Sequence, residues 1–151
     1  MKKILTFVLV IFGLLFFTGC SGKSIPSPNT KMIDVSTYKP STKNGVFYIV
    51  RKSDFRGGTV SDTYYVDGKK IGTLGNEGLV YYIVELAPKT YKVLHVIDTI
   101  PTATEITSRL KVRAGEKYMY YIQHPRMSRP IPFDEDAIRG GKFLGYQKIE
   151  R

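Results

Sequence analysis

The chain has 151 residues, of which 42% are hydrophobic and 24% are charged. This is the length of about one domain, with enough apolar residues for a core, so most of the chain should fold and the bulk of it is not embedded in a membrane. The formal net charge is +10, and the single cysteine excludes a disulfide within the chain.

The amino end has the organisation of a signal peptide. Met1 to Lys3 is basic, and residues 4–17 form an apolar run that is short for a membrane span of roughly 20 residues. Phe17-Thr18-Gly19-Cys20 resembles the bacterial lipobox, although Phe17 stands where an aliphatic residue is usual. The resemblance implies that residues 1–19 are removed and that Cys20 becomes the lipidated amino terminus. An uncleaved anchor helix with an incidental cysteine is the competing interpretation.

Lipid on Cys20 would tie the protein to a membrane and use its one thiol. Two acyl chains are sufficient, because each buried methylene contributes about 0.8 kcal/mol. Ser21 resembles the residue found after the cysteine in outer-membrane lipoproteins of enterobacterial type. We therefore predict a location in the cell envelope, on the outer membrane and facing the periplasm.

Residues 20–44 follow the signal peptide and are rich in Pro, Ser and Thr. Apolar residues are sparse there, so the sequence predicts a flexible tether that lets the domain stand off the bilayer. Met32 to Val35 is compatible with one brief strand.

Residues 45–123 have the pattern of an all-β domain. Alternating or solid apolar runs are separated by turn residues such as Asp67-Gly68, a strong signal for a two-residue hairpin. Seven strands are predicted: Val46–Val50, Thr63–Val66, Lys69–Leu74, Leu79–Leu86, Thr90–Ile97, Thr104–Val112 and Lys117–Gln123. Short strands at this spacing favour an antiparallel sandwich.

Residues 124–151 are expected to be a loop and a C-terminal extension. Asp134 to Asp136 would open a short helix, because acidic residues favour a helix amino end, and Gly140-Gly141 would stop it. Lys142 to Arg151 fits either a last strand or a short helix.

The domain resembles an uncharacterised family of small bacterial envelope lipoproteins, a β-sandwich domain of unknown function. The matching stretches include Gly45 to Arg51, Val66 to Gly72, Leu86 to Lys89 and Val112 to Tyr118. Lys89 departs from the pattern, since such domains usually carry Gly after the proline. The resemblance implies fold and anchoring, and it implies no catalytic residue.

Catalysis has little support in the sequence. A Ser-His-Asp hydrolase needs a histidine base, and His95 and His124 are the two histidines. His95 lies within a strand pattern, where a half-buried, hydrogen-bonded histidine is the commoner finding. Asp134 to Asp136 lack the spacing of a metal site. We predict no metal, no cofactor and no enzymatic activity, with an envelope hydrolase as a remote alternative.

Two surface features are candidates for binding. Tyrosines 81, 82, 118, 120 and 121 on two predicted strands fit a stacking surface or ordinary strand packing. Arg109, Lys111 and Arg113 alternate along one strand and would project from one face. Edge protection and solubility are the competing interpretation of these charges.

The excess of positive charge suggests the kind of partner. Without Lys2 and Lys3, 21 basic and 13 acidic residues remain, a charge of +8. Acidic lipid headgroups, phosphorylated glycolipid or an anionic cell-wall polymer are plausible partners outside the cytoplasm, and nucleic acid is not. The sequence thus predicts a non-catalytic binding or structural module that partners the membrane and an envelope protein, or alternatively binds an anionic polymer.

Overall fold

The computed structural model describes residues 22–52, 61–98, 102–122 and 130–150. Within them the fold is all-β, with one short 3-10 helix at Asp136–Ile138. The strands are β1 (Ile25–Pro26), β2 (Gly45–Arg51), β3 (Ser61–Val66), β4 (Lys69–Leu74), β5 (Val80–Leu86), β6 (Thr90–Asp98), β7 (Ala103–Lys111), β8 (Lys117–Ile122), β9 (Ile131–Pro132) and β10 (Lys142–Ile149).

The strands form two sheets that pack face to face. One sheet has the order β1-β4-β3-β6-β7 and the other the order β10-β5-β2-β8-β9. The predicted all-β sandwich is confirmed, and the seven predicted strands correspond to β2 to β8. One difference is strand direction, because β2 pairs with β8, and β5 with β10, in parallel. Neither pair is joined by a tight turn, so no hairpin forces an antiparallel direction on it.

The space between the sheets holds the main core. Side chains alternate along each strand, so every second residue points inward. Phe47 and Ile49 on β2 face Tyr64 and Val66 on β3, and all four are fully buried. The expected alternation of β7 is present as well: Leu110 is buried, whereas Arg109 and Lys111 are exposed.

A second apolar cluster covers the outer face of the sheet that contains β2 and β5. Tyr48, Ile83 and Met119 from this face pack against residues from two flanking segments, including Tyr38 and Phe133. Covered on both faces, β2 and β5 are buried along their whole length. This explains why their sequences are solid apolar runs rather than alternating ones.

Residues 22–44 differ from the flexible tether that their composition predicts. β1 adds to the edge of β4, and Lys31 then forms a bridge to Tyr146 on β10. The segment therefore crosses from the edge of one sheet to the edge of the other. Its later part packs Val35 and Tyr38 onto the outer cluster. A segment rich in Pro and Ser can cross in this way because side-chain contacts and single bridges hold much of it, so it does not need a continuous ladder of backbone hydrogen bonds.

The carboxyl end also belongs to the sandwich. Lys142–Ile149 is a strand that pairs with β5 along its length, so the strand alternative is confirmed for this segment. The predicted short helix is the 3-10 turn at Asp136–Ile138, and Gly140 follows it with a φ of 74°. The predicted signal peptide, Cys20, Ser21 and His124 lie outside the described residues.

Candidate functional site

A groove opens between the edge strands β7 and β9, and we call it the basic groove. Its volume is about 570 Å³. The walls come from β7, from the turn that follows it, and from β8 and β9. The lining residues are Arg109, Leu110, Lys111, Glu116, Lys117, Tyr118, Pro130, Ile131 and Pro132. The lining thus combines cations with apolar and aromatic side chains.

The positive charges of the basic groove are not neutralised by neighbouring acidic side chains. Arg109, Lys111 and Lys117 are exposed. In the described part of the chain, no acidic side chain forms an ion pair with Arg109 or Lys111. Unpaired cations that converge on a concave surface concentrate positive potential there. An anion entering the groove would therefore meet charges that need not first break another ion pair.

Among the described lining residues Glu116 is the one acid, and its carboxylate already binds other side chains. Tyr118 donates its hydroxyl to Glu116 at 2.6 Å, and the Arg113 guanidinium lies 3.3 Å from the same carboxylate. The Tyr118 hydrogen bond first, and then Arg113, lower the pKa of Glu116 below its usual value. Glu116 thus stays charged and holds Tyr118 in the groove, while Arg113 offsets its charge.

The three predicted basic residues accordingly separate into two groups. Arg109 and Lys111 line the basic groove, as their position on one strand face suggested. Arg113 is also exposed, but it follows the end of β7 and pairs with Glu116 rather than joining the lining. The charges at positions 109 and 111 are therefore the ones available to a ligand.

Lys117 joins this group, although it is not among the basic residues predicted from the sequence. It begins β8, and its ammonium lies 5.0 Å from the centre of the Phe133 ring. Contact with an aromatic face orients a cation without neutralising it. The signal that could have found it is its position directly after the turn at residues 114–116, which leads from β7 in one sheet to β8 in the other.

Other cations near the groove differ in their partners. Lys92 is exposed and lies directly across from Arg109 on β6, which extends the positive strip over the sheet. Lys89, by contrast, forms an ion pair with Asp67 at 2.9 Å and contacts the Tyr91 ring. The potential is thus centred on the β7 edge.

The histidine considered as a base lies in a buried ionic cluster instead. His95 is 2% exposed, and its Nε2 lies 2.6 Å from Asp62 Oδ1. The other oxygen of Asp62 pairs with Arg51 at 2.8 Å, and Arg51 also donates to the Leu74 carbonyl. Tyr64 stacks on the imidazole with ring centres 4.5 Å apart. The expected hydrogen-bonded strand histidine is confirmed, and it is fully rather than half buried.

A serine near this cluster has a different partner. Ser108 and Tyr120 form a hydrogen bond between their hydroxyls. Among the described residues, the acid that contacts His95 is Asp62, and Arg51 shares its carboxylate. The arrangement neutralises charge inside the sandwich, which is the condition for burying ionised groups.

The tyrosines on β5 and β8 serve packing. Tyr82 and Tyr120 are 1% exposed and Tyr81 is 6% exposed, so they offer no ring face to a sugar. Tyr118 is partly buried and contributes one ring to the basic groove. Strand packing is therefore the better account of Tyr81, Tyr82 and Tyr120, and Tyr121 packs against the outer cluster. Tyr118 alone of the five lines the groove.

The part of the chain that the structure describes contains no candidate metal site and no candidate membrane-spanning helix. None of its His, Cys, Asp and Glu side chains gather in groups of three or more that could hold an ion. No helix among these residues is long and apolar enough to cross a bilayer.

Comparison with known protein families, curated protein sequences and solved structures gave no match for this chain. The resemblance to small envelope lipoproteins therefore stays a prediction from the quoted motifs.

Proposed function

We propose that this protein is a lipid-anchored lipoprotein of the cell envelope whose sandwich acts as a non-catalytic binding module. The support for anchoring is the basic, apolar and small-residue order of residues 1–20, which ends in the single cysteine. Support for a binding role comes from the difference between two sets of charges in the described chain. Arg51, Asp62 and His95 are buried and occupied with one another, whereas Arg109, Lys111 and Lys117 have no ion-pair partner there and line one surface groove. Ser21 favours the outer membrane.

The ligand class that fits the basic groove best is an anionic polymer, such as an acidic glycan or a phosphate-containing cell-wall chain. The observation that carries this proposal is that Arg109, Lys111 and Lys117 line one groove together with apolar side chains. The cations would bind phosphate or carboxylate groups, and Tyr118 and Ile131 would contact the carbon skeleton between them. A groove that is open to solvent between two edge strands suits a chain better than a small enclosed molecule.

Charge reversal in the groove tests this assignment. The full chain in detergent micelles would be titrated with dextran sulfate, and uncharged dextran of the same length would measure non-ionic binding. Arg109→Glu, Lys111→Glu and Lys117→Glu together should weaken dextran sulfate binding by at least about 30-fold, because three contacts worth roughly 1 kcal/mol each are lost and reversed. Affinity for the wild-type chain should fall steeply with added salt.

A matched variant separates a site from net charge. Lys31→Glu, Lys39→Glu and Lys43→Glu change three exposed lysines that lie outside the groove lining. Both triple variants change the formal charge by the same amount, so a site-specific interaction predicts that this control binds nearly as well as the wild type. Equal losses in the two variants would show that binding follows net charge alone and would sink the groove as a site.

Anchoring has its own test in the cysteine. Cys20→Ser should abolish lipid attachment and leave uncut precursor or a soluble form, as read from intact mass and membrane fractionation. A variant that stays in the membrane fraction with the mobility of the wild type would contradict the lipoprotein proposal. The outcome is independent of dextran sulfate binding, so the two parts of the function can fail separately.

A further inference from the structure

We infer that the sandwich stands directly on the membrane surface, with one particular end against the lipid headgroups. This end, which we call the Gly22 end, is formed by Gly22, the turn at residues 75–78 and the start of β10 at Lys142. The inference rests on the lipid attachment to Cys20 proposed above. It replaces the tether expected from composition with a fixed orientation.

The chain is already bound to the sandwich at Gly22. The Asn76 amide donates to the Gly22 carbonyl at 2.9 Å, and the Gly75 amide donates to the Ser24 hydroxyl at 2.9 Å. Ser24 in turn donates its own amide to the Glu77 carboxylate at 2.7 Å. Three hydrogen bonds thus hold residues 22–24 against the turn at 75–78.

The contact is also too close to tolerate a side chain on the turn. A Cβ added at Gly75 would lie 1.8 Å from the Gly22 carbonyl oxygen. Glycine at this position therefore lets the two backbones approach each other. The approach shows that the docking of Gly22 is built into the sandwich rather than a loose contact of an unstructured tail.

Chain length then fixes the distance to the membrane. Cys20 and Gly22 are two residues apart, so their Cα atoms are separated by at most about 7 Å. A lipidated cysteine is bonded to the glycerol of its lipid, which places it at the headgroup level. The strand β4 rises about 20 Å over its length, since each residue adds roughly 3.3 Å. The slack is therefore small compared with the height of the domain, and the Gly22 end must face the lipid.

An exposed apolar side chain lies at the same end. Ile25 is 60% exposed and, with Met32, is one of the large hydrophobic residues that the described chain leaves in solvent. It pairs with Thr73, one residue before β4 finishes at the Gly22 end. Exposed Lys23 precedes it by two residues. An isoleucine that can enter the interface beside a lysine that can meet lipid phosphate fits contact with a bilayer.

A tryptophan reporter tests the orientation, because the natural chain has no Trp. The lipidated full chain would be reconstituted in phosphatidylethanolamine and phosphatidylglycerol vesicles that carry a nitroxide on a fraction of the headgroups. Ile25→Trp reports on the Gly22 end. Ala114→Trp is the matched control, since Ala114 is exposed in the turn between β7 and β8 at the other end. Lys23→Trp is a second reporter in case the first variant does not fold.

The expected result is that the nitroxide quenches Trp at position 25 or 23 at least twofold more than Trp at position 114. A flexible eight-residue Gly/Ser spacer inserted between Ser21 and Gly22 should reduce that quenching to the level of the control. Equal quenching at both ends, in protein that remains bound to vesicles and carries lipid by mass, would overturn the orientation and leave the anchor intact. Protein without lipid on Cys20 would overturn the anchor and this inference together.

Discussion

At the turn between β3 and β4, two residues need a backbone conformation that most side chains resist. Asp67 has a φ of 48° and Gly68 a φ of 78°, which is the geometry predicted from the Asp-Gly pair for a two-residue hairpin. Asp67 stabilises the turn further, because its carboxylate accepts the Lys92 amide at 2.8 Å. The Asp67-Gly68 pair alone is therefore enough to predict the backbone conformation of this turn.

Gly68→Val should destabilise the protein by on the order of 1–2 kcal/mol, since a β-branched residue disfavours positive φ. A Cβ at this position would meet nothing within 4 Å, so the effect is conformational and not a clash. Urea unfolding followed by circular dichroism measures the loss. Gly68→Asn is the control and should lose less, because Asn tolerates this region. Equal losses for Val and Asn would contradict the explanation.

The hydrogen-bond partners of a buried polar residue cannot be predicted from its own position in the sequence. Glu85 stands in the otherwise apolar sequence of β5 and is 4% exposed. Asn44, Tyr38 and Tyr146 donate to it, and they are 41, 47 and 61 residues away in the sequence. Because all its partners are distant, no local pattern predicts that this carboxylate joins the 35–44 segment and β10 to the sheet.

At the scale of elements, the Glu85 carboxylate binds the 35–44 segment to β5. Glu85→Leu should cost roughly 3 kcal/mol of stability, because it leaves buried donors without an acceptor. Hydrogen exchange should also accelerate in the 35–44 segment more than in β3. Glu105→Leu is the control and should shift stability by no more than about 0.5 kcal/mol, since Glu105 is exposed on β7. A Glu85→Leu variant as stable as that control would refute the fastening role.

The positions of most strands could be predicted from the sequence, whereas the pairing of the strands in the two sheets could not. Apolar alternation and turn residues indicate β2 to β8 because both are local properties of the chain. The basic groove depends instead on β9, a two-residue strand, Ile131–Pro132, whose proline-rich surroundings predict a loop. Arg109 and Lys111 could be recognised on β7. Lys117 and the apolar residues at positions 130–132 join them in one site only because β8 and β9 pair.

At the scale of the whole molecule, the least predictable feature is how the amino-terminal segment and β10 pack against the two sheets. Gln147 on β10 is 2% exposed and donates to Thr30 and to the Ile71 carbonyl, both at 2.9 Å. These contacts join the amino-terminal segment, β4 and β10 at one side. Composition predicted a tether because Pro, Ser and Thr are common in linkers, yet a few specific hydrogen bonds are enough to fix such a segment.

Tyrosines are buried throughout the molecule, and their burial makes the free energy of unfolding decrease at alkaline pH. Burial raises the pKa of Tyr48 to about 12, with further contributions from Tyr81 and Glu135. Burial is likewise the main cause of raised pKa values at Tyr64, Tyr82 and Tyr120. In the unfolded chain these groups ionise near pH 10. Above that pH the folded state binds more protons than the unfolded state, so stability is complete below pH 10 and falls as pH rises.

We therefore expect the free energy of unfolding to decrease by at least about 2 kcal/mol between about pH 9 and pH 11.5, since one pKa unit corresponds to about 1.4 kcal/mol. Urea titrations at several pH values measure this, and absorbance at 295 nm reports phenolate formation without interference, because the chain has no Trp. Tyr48→Phe keeps the ring against Phe133 and removes one ionisation, so its stability should fall less steeply. If every tyrosine ionised near pH 10 while the protein remained folded, the buried positions would not oppose the charge, and the alkaline loss would need another cause.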